Sequence, residues 1–163
     1  MKRVVIFLSS VAVFCMISCG SEGGEQAAKT ETKKEEVKSE PSQADLPASK
    51  RVDLENKGIG PITEVDLPSE IDRKLSVKGK EIYSAKCIAC HSVDKKIIGP
   101  PQKGILDRRT PEWVMNMIMN PTEMLEKDPL AKDLLAEFNN TPMLDQNITE
   151  EEARALLEYF RTL

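Results

Sequence analysis

The sequence predicts an all-α domain over residues 72–163, and three observations predict it. Gly79, Ile82, Tyr83 and Lys86 recur at helical spacing near its start, and Ala153, Leu156, Leu157 and Phe160, with Tyr159 beside them, do so near its end. Helix starts are written between them. Thr149 followed by Glu152 is a capping box, and Thr110-Pro111 and Asp128-Pro129 each set a capping side chain before a proline at the first helical position. No stretch alternates apolar and polar residues as a half-buried strand would.

In chain order, Met1-Lys2-Arg3 is a basic start and Val4 to Met16 an apolar run too short to span a bilayer comfortably. Residues 1–18 read as an export leader. Met16-Ile17-Ser18-Cys19-Gly20 resembles the bacterial lipobox, with Met16 where leucine is usual; Cys15, behind the bulky Phe14, leaves with the leader. The resemblance implies lipidation of Cys19 by a diacylglycerol, whose two chains hold a membrane as one chain does not. The alternative is an ordinary secreted protein with a thiol at Cys19. The remaining 145 residues are one domain's worth, and their 21 basic against 27 acidic residues are not a nucleic-acid binder's balance.

Residues 19–50 are expected to be a disordered charged tether. The run Lys29 to Lys38 has almost no apolar content to offset the entropy of ordering; a solvated helix of Glu–Lys pairs is the alternative. In residues 51–71, Gly58-Ile59-Gly60-Pro61-Ile62 and Leu67-Pro68 give turn and extended signals, and the interspersed Ile, Val and Leu suggest an arm lying on the domain. The first helix follows. A glycine inside a helix costs about 1 kcal/mol relative to alanine, so Gly79 suggests a close crossing with another helix. The helix opened by Thr110 runs to Asn120, where Pro121 stops it; the one opened by Asp128 carries Leu130, Leu134 and Phe138 four apart; the last starts at Thr149.

The chemistry centres on Cys87-Ile88-Ala89-Cys90-His91. The C-x-x-C-H spacing is that of c-type haem attachment. Two thiols at this separation reach the two vinyl groups on one porphyrin edge and form thioethers, and the next residue, His91, turns its imidazole onto the iron. The motif also admits a dithiol redox pair or part of a zinc site. The first usually accompanies a β-α-β pattern, absent here; the second needs more ligands, and past the leader only Cys19 and no second histidine remain. Export agrees with one covalent haem, because bacteria attach haem c outside the cytoplasm. Haem also supplies apolar bulk to a chain with only 4% aromatic residues.

Residues 72–163 resemble a class I cytochrome c. Gly79-x-x-x-Tyr83 and Leu156-x-x-Tyr159 are similar to the family's paired positions on the crossing first and last helices, and Gly99-Pro100 to its Gly-Pro turn. The resemblance implies that the Pro100 carbonyl accepts a hydrogen bond from the other ring nitrogen of His91. The family often has leucine two residues later; here it is Gln102, which puts a haem-wall contact there in doubt. His91 is the only histidine, so a second histidine ligand from this chain is excluded. Among Met115, Met117, Met119, Met124 and Met143, the last follows Pro142 in a loop before the final helix and matches the family's methionine-ligand position; Met115, Met117 and Met119 fit helix packing. Family analogy places Arg108, Arg109 and Trp113 at the haem propionates, against a plain surface pair and a core tryptophan.

Such a chain is expected to be an electron carrier rather than an enzyme: with both axial positions filled, substrate does not reach iron. The expected partners are redox proteins, a quinol-oxidising donor and a terminal reductase or oxidase acceptor, together with a membrane reached through Cys19. Gly58 to Ile62, Arg108 to Glu112 and Thr141-Pro142-Met143 together resemble small lipoprotein cytochromes associated with nitrous oxide reduction, implying that reductase as the acceptor. The alternatives are a haem enzyme or ligand-binding sensor with a labile sixth ligand, and a thiol–disulfide exchanger. Charge is polarised, with ten basic and four acidic residues from Asp72 to Arg109 against four and eleven from Thr110 to Leu163. This suggests a basic docking face at Lys86, Lys95, Lys96 and Lys103.

Overall fold

A computed structural model describes residues 42–163. The leader, Cys19 and the tether as far as Pro41 lie outside the described residues. Five helices carry the fold: α1 (Arg73–Lys86), α2 (Pro111–Met119), α3 (Pro121–Lys127), α4 (Pro129–Glu137) and α5 (Glu150–Phe160). Among the described residues there is no strand, only an isolated parallel bridge between Asp53 and Arg109.

Helices α1 and α5 cross at Gly79. A side chain there would meet the Ala155 carbonyl oxygen at 2.0 Å, so only a bare Cα allows the approach. Asp72 caps α1 by accepting from the backbone N–H of Lys74 and Leu75, and the Thr149–Glu152 box caps α5 as its sequence predicts. The inner face of α5 buries Ala153, Leu156, Leu157 and Phe160. Tyr83 stacks obliquely on Tyr159 at 5.4 Å and meets Phe160 edge-on at 6.1 Å. Glu158 is fully buried beside them. Arg154 and Arg161 donate to its carboxylate at 2.7 and 2.9 Å, and the Asp72 N–H at 3.3 Å.

Pro121 ends α2 but does not end helical structure. It occupies the first position of α3, a seven-residue helix the sequence reading did not anticipate. The chain turns at Asn120, whose side chain donates to Glu123 at 2.7 Å.

The segment before α1 packs on α2, α3 and α4. Ile62 is buried, and its N–H and carbonyl both pair with the Asn116 side chain, at 3.0 and 2.8 Å. Asn56 donates to Asp128, which also caps α4 and accepts the Trp113 indole N–H. The tether expected as far as Lys50 therefore ends earlier. Ala48 is buried, and Ser49 donates through both backbone N–H and hydroxyl to Glu137, at 2.8 and 2.5 Å. These residues look polar in sequence; what orders them is a set of partners on α4 and at Arg109, remote in the chain.

Candidate functional site

The motif sits where α1 runs out. Cys87 is the C-terminal capping residue of α1, and the chain closes into a tight turn in which the N–H groups of Cys90 and His91 both donate to the Cys87 carbonyl, at 3.1 and 2.9 Å. The turn gathers both thiols and the imidazole at the mouth of one mostly apolar cavity. The Tyr83 hydroxyl donates to the His91 carbonyl at 3.0 Å, tying the turn to the α1–α5 crossing.

His91 is held from three sides. Its Nδ1 lies 3.0 Å from the Pro100 carbonyl oxygen. A side chain on Gly99 would meet the ring carbon Cε1 at 2.5 Å, so this glycine is the floor on which the imidazole lies. The Gln102 amide nitrogen approaches Nδ1 to 2.9 Å. Burial pushes the imidazole pKa below its usual value and the Pro100 contact pulls it back up, so the ring is neutral near pH 7, as a metal-binding imidazole must be. Burial likewise pushes the Cys87 thiol up to about 11. A thiol-exchange cysteine needs the opposite shift.

All eight residues singled out by sequence for the cofactor line this cavity: Cys87, Cys90, His91, Pro100, Arg108, Arg109, Trp113 and Met143. Met143 arrives on the irregular segment between α4 and α5. Met117, read from sequence as helix packing, also reaches the cavity from α2. Met115 and Met124 are buried, with the Met124 sulfur accepting from the Ile59 N–H at 2.9 Å.

Arg109 is buried, stacked 5.4 Å over the Trp113 ring, and its Nη atoms donate to the carbonyls of Ala48, Arg51 and Arg108. Burial and the neighbouring Arg108 push its guanidinium down to about 10. Arg108 donates both Nη atoms to the Lys103 carbonyl. Yet Arg108 Nε and Arg109 Nε are buried with no acceptor among the described residues. Trp113 corrects the expectation: its indole N–H is committed to buried Asp128 at 3.1 Å, so the ring is a cavity wall and not a propionate donor. The donor set fits a c-type haem, with two thiols and an imidazole on one turn, a thioether on a facing loop, apolar walls, and two orphaned cationic donors for the group's acidic edge.

Sequence reasoning missed Ser49, which lines the cavity from a segment read as tether, and noted Gln102 only as a departure. Of the lysines expected to form a basic face, Lys86 lies 3.6 Å from Glu152, Lys96 4.2 Å from the centre of the Phe138 ring, and Lys103 3.3 Å from Asp94.

The fold and site define a helical electron carrier with one covalent c-type haem, on the class I plan. The cytochrome c family model matches residues 76–163, and the chain belongs to the cytochrome c family. Cytochrome c-551 of Pseudomonas denitrificans is 29% identical over 86 residues, 52% of this chain and 96% of the relative. The structure of a cytochrome c from Rhodothermus marinus shares 39% identity with a TM-score of 0.61, covering 63% of this chain and 88% of that one. An engineered form of the Rhodothermus marinus protein aligns with 38% identity and the same TM-score, over 63% and 89%.

Proposed function

We propose that this cytochrome is exported, tethered to a membrane through lipidated Cys19, and carries single electrons from a quinol-oxidising complex to a terminal reductase or oxidase, nitrous oxide reductase being the candidate acceptor. The observation that carries the site reading is the single cavity shared by Cys87, Cys90, His91 and Met143. When bound, haem supplies a one-electron Fe(III)/Fe(II) couple. The thiols of Cys87 and Cys90 would hold it covalently. The Pro100 carbonyl engages Nδ1 of His91, leaving Nε2 for the metal. Met143, on the segment between α4 and α5, would offer its thioether sulfur to the iron. Arg108 and Arg109 offer their unpaired Nε donors to the propionates. Export and the tether follow from the leader and the lipobox-like Ser18-Cys19; among the described residues no helix is long and apolar enough to cross a membrane.

Met143→Ala is expected to convert a low-spin haem to a high-spin or exchangeable form and to lower its potential, because thioether ligation raises it. Retention of the red charge-transfer band from thioether to iron would transfer the role to Met117. Cys19→Ala is expected to leave haem attached but release the protein from the membrane fraction; sedimentation with membranes after a salt wash would refute the anchor.

A further inference from the structure

Met143 rides on a segment that the rest of the protein holds at few points. Residues 139–147 are exposed apart from Met143 itself, which is half-buried, and the buried residues on either side are Phe138 and Ile148. Among the described residues, the one hydrogen bond that ties residues 139–148 to chain beyond the end of α4 runs from Lys86 Nζ to the Gln146 carbonyl, at 3.4 Å. The place of the sulfur is therefore decided largely at the two ends of the segment.

The far end is the capped start of α5. The near end is fixed through Glu137, the last residue of α4. Ser49 gives the Glu137 carboxylate two donors, its backbone N–H at 2.8 Å and its hydroxyl at 2.5 Å; bonds to an ionised acceptor are stronger than neutral ones. Lys96 donates to the Glu137 carbonyl at 3.4 Å and lies 4.2 Å from the centre of the Phe138 ring. Both Ser49 and Phe138 line the cavity. The turn that follows is closed onto the same helix. Asn139 and Asn140 take left-handed φ of 59° and 55°, which asparagine tolerates better than most residues. The Asn140 N–H donates to the Leu135 carbonyl at 2.8 Å and the Thr141 N–H to the Phe138 carbonyl at 3.1 Å. The last turn of α4 and the start of the Met143 segment thus move as one piece.

We propose that Glu137 is a positioning residue for Met143: gripped by Ser49 and Lys96, it holds the end of α4 so that the thioether stays over the haem. The proposal rests on the reading of Met143 as an axial ligand. Lifting Met143 away carries the last turn of α4 with it and breaks the Ser49 bonds. Without those bonds the open form is more populated, and a competing ligand binds with higher apparent affinity.

The test uses the full-length, haem-loaded ferric protein, with imidazole as the competing ligand and loss of the red thioether-to-iron band as the readout. Glu137→Ala is expected to bind imidazole about tenfold more tightly than wild type, the change that loss of a hydrogen bond to a charged group implies. Ser49→Ala removes the hydroxyl alone and is expected to gain about threefold; it decides the matter if Glu137→Ala does not accumulate. Asp133→Ala is the control. It breaks the ion pair of Arg51 with the same helix, one turn earlier, and is expected to bind imidazole as wild type does. Unchanged affinity in either Glu137→Ala or Ser49→Ala, or an equal rise in Asp133→Ala, overturns the proposal. If the wild type shows no thioether band, Met143 is not a ligand and the proposal falls with that reading. A band in the wild type with unchanged affinity in the variants refutes the part of Glu137 alone.

Discussion

Tyr83 links the helix crossing to the haem turn through one hydroxyl. It is 4% exposed and donates to the His91 carbonyl. Burial, reinforced by Cys87 and Tyr159, pushes its phenol up to about 12, whereas an unfolded tyrosine titrates near 10. Between those values the unfolded chain loses its proton first. The associated stability is therefore complete below about pH 10 and lost as pH rises through about 12, an effect of order 2–3 kcal/mol. The Cys87 contribution disappears once that sulfur is a thioether; burial remains. Tyr83→Phe keeps the aromatic contacts and removes the titrating group. Its stability to urea is expected about 1 kcal/mol lower near pH 7, because the His91 carbonyl loses a donor, and to fall less steeply than wild type from pH 9 to 12. Parallel pH profiles would show that Tyr83 does not titrate in this range. Sequence reveals a residue's type and local spacing, which sufficed to pick Cys87, Cys90, His91, Pro100 and Met143 as lining one site. It does not reveal which distant partner claims a polar atom. The Trp113 indole goes to Asp128 and the Gln102 amide turns to His91 for that reason.

At the scale of elements, local signals located helices wherever the chain itself satisfies their ends. The Thr110, Asp128 and Thr149 side chains each accept from the first turn of the helix they precede. Gly79 pointed to the α1–α5 crossing because its helical cost needs a packing reason, and the Ala155 carbonyl is that reason. Helix α3 was illegible. Its N-cap Asn120 makes no capping bond, and a proline that ends one helix can as well begin another. The arm was legible only in part. Its glycines and prolines marked turns, but its anchors are side chains of α2 and α4, including Asn116 and Asp133, whose reach to it no local pattern encodes.

At the scale of the molecule, the family match begins at residue 76, yet the domain packs against chain that precedes it. Three buried polar side chains, one in α2 and two just before α2 and α4, find partners on residues 48–62: Asn116 pairs with Lys57 and Ile62, Arg109 with Ala48 and Arg51, and Asp128 with Asn56. Removing that segment would take away the partners of all three and uncover Trp113 and Met124, both now buried and lying against Gly58. An unpaired buried polar group costs about 1–3 kcal/mol, and burial of Ile62 adds its own share. A chain with residues 42–67 deleted and the leader kept is therefore expected to attach haem but to lose at least about 4 kcal/mol. For a domain of this size that is a fall in Tm of more than about 15 °C. Asn116→Ala in the intact chain separates this from a general effect of truncation. It removes the one side chain that pairs both polar groups of Ile62, and a loss of about 2–3 kcal/mol is expected from that change alone. Thermal unfolding of both holoproteins, followed by helical circular dichroism, measures the two losses. A deletion that melts with the wild type would show that the arm rests on the domain without stabilising it. A large loss on deletion with none in Asn116→Ala would move the anchor to Arg109 and Asp128.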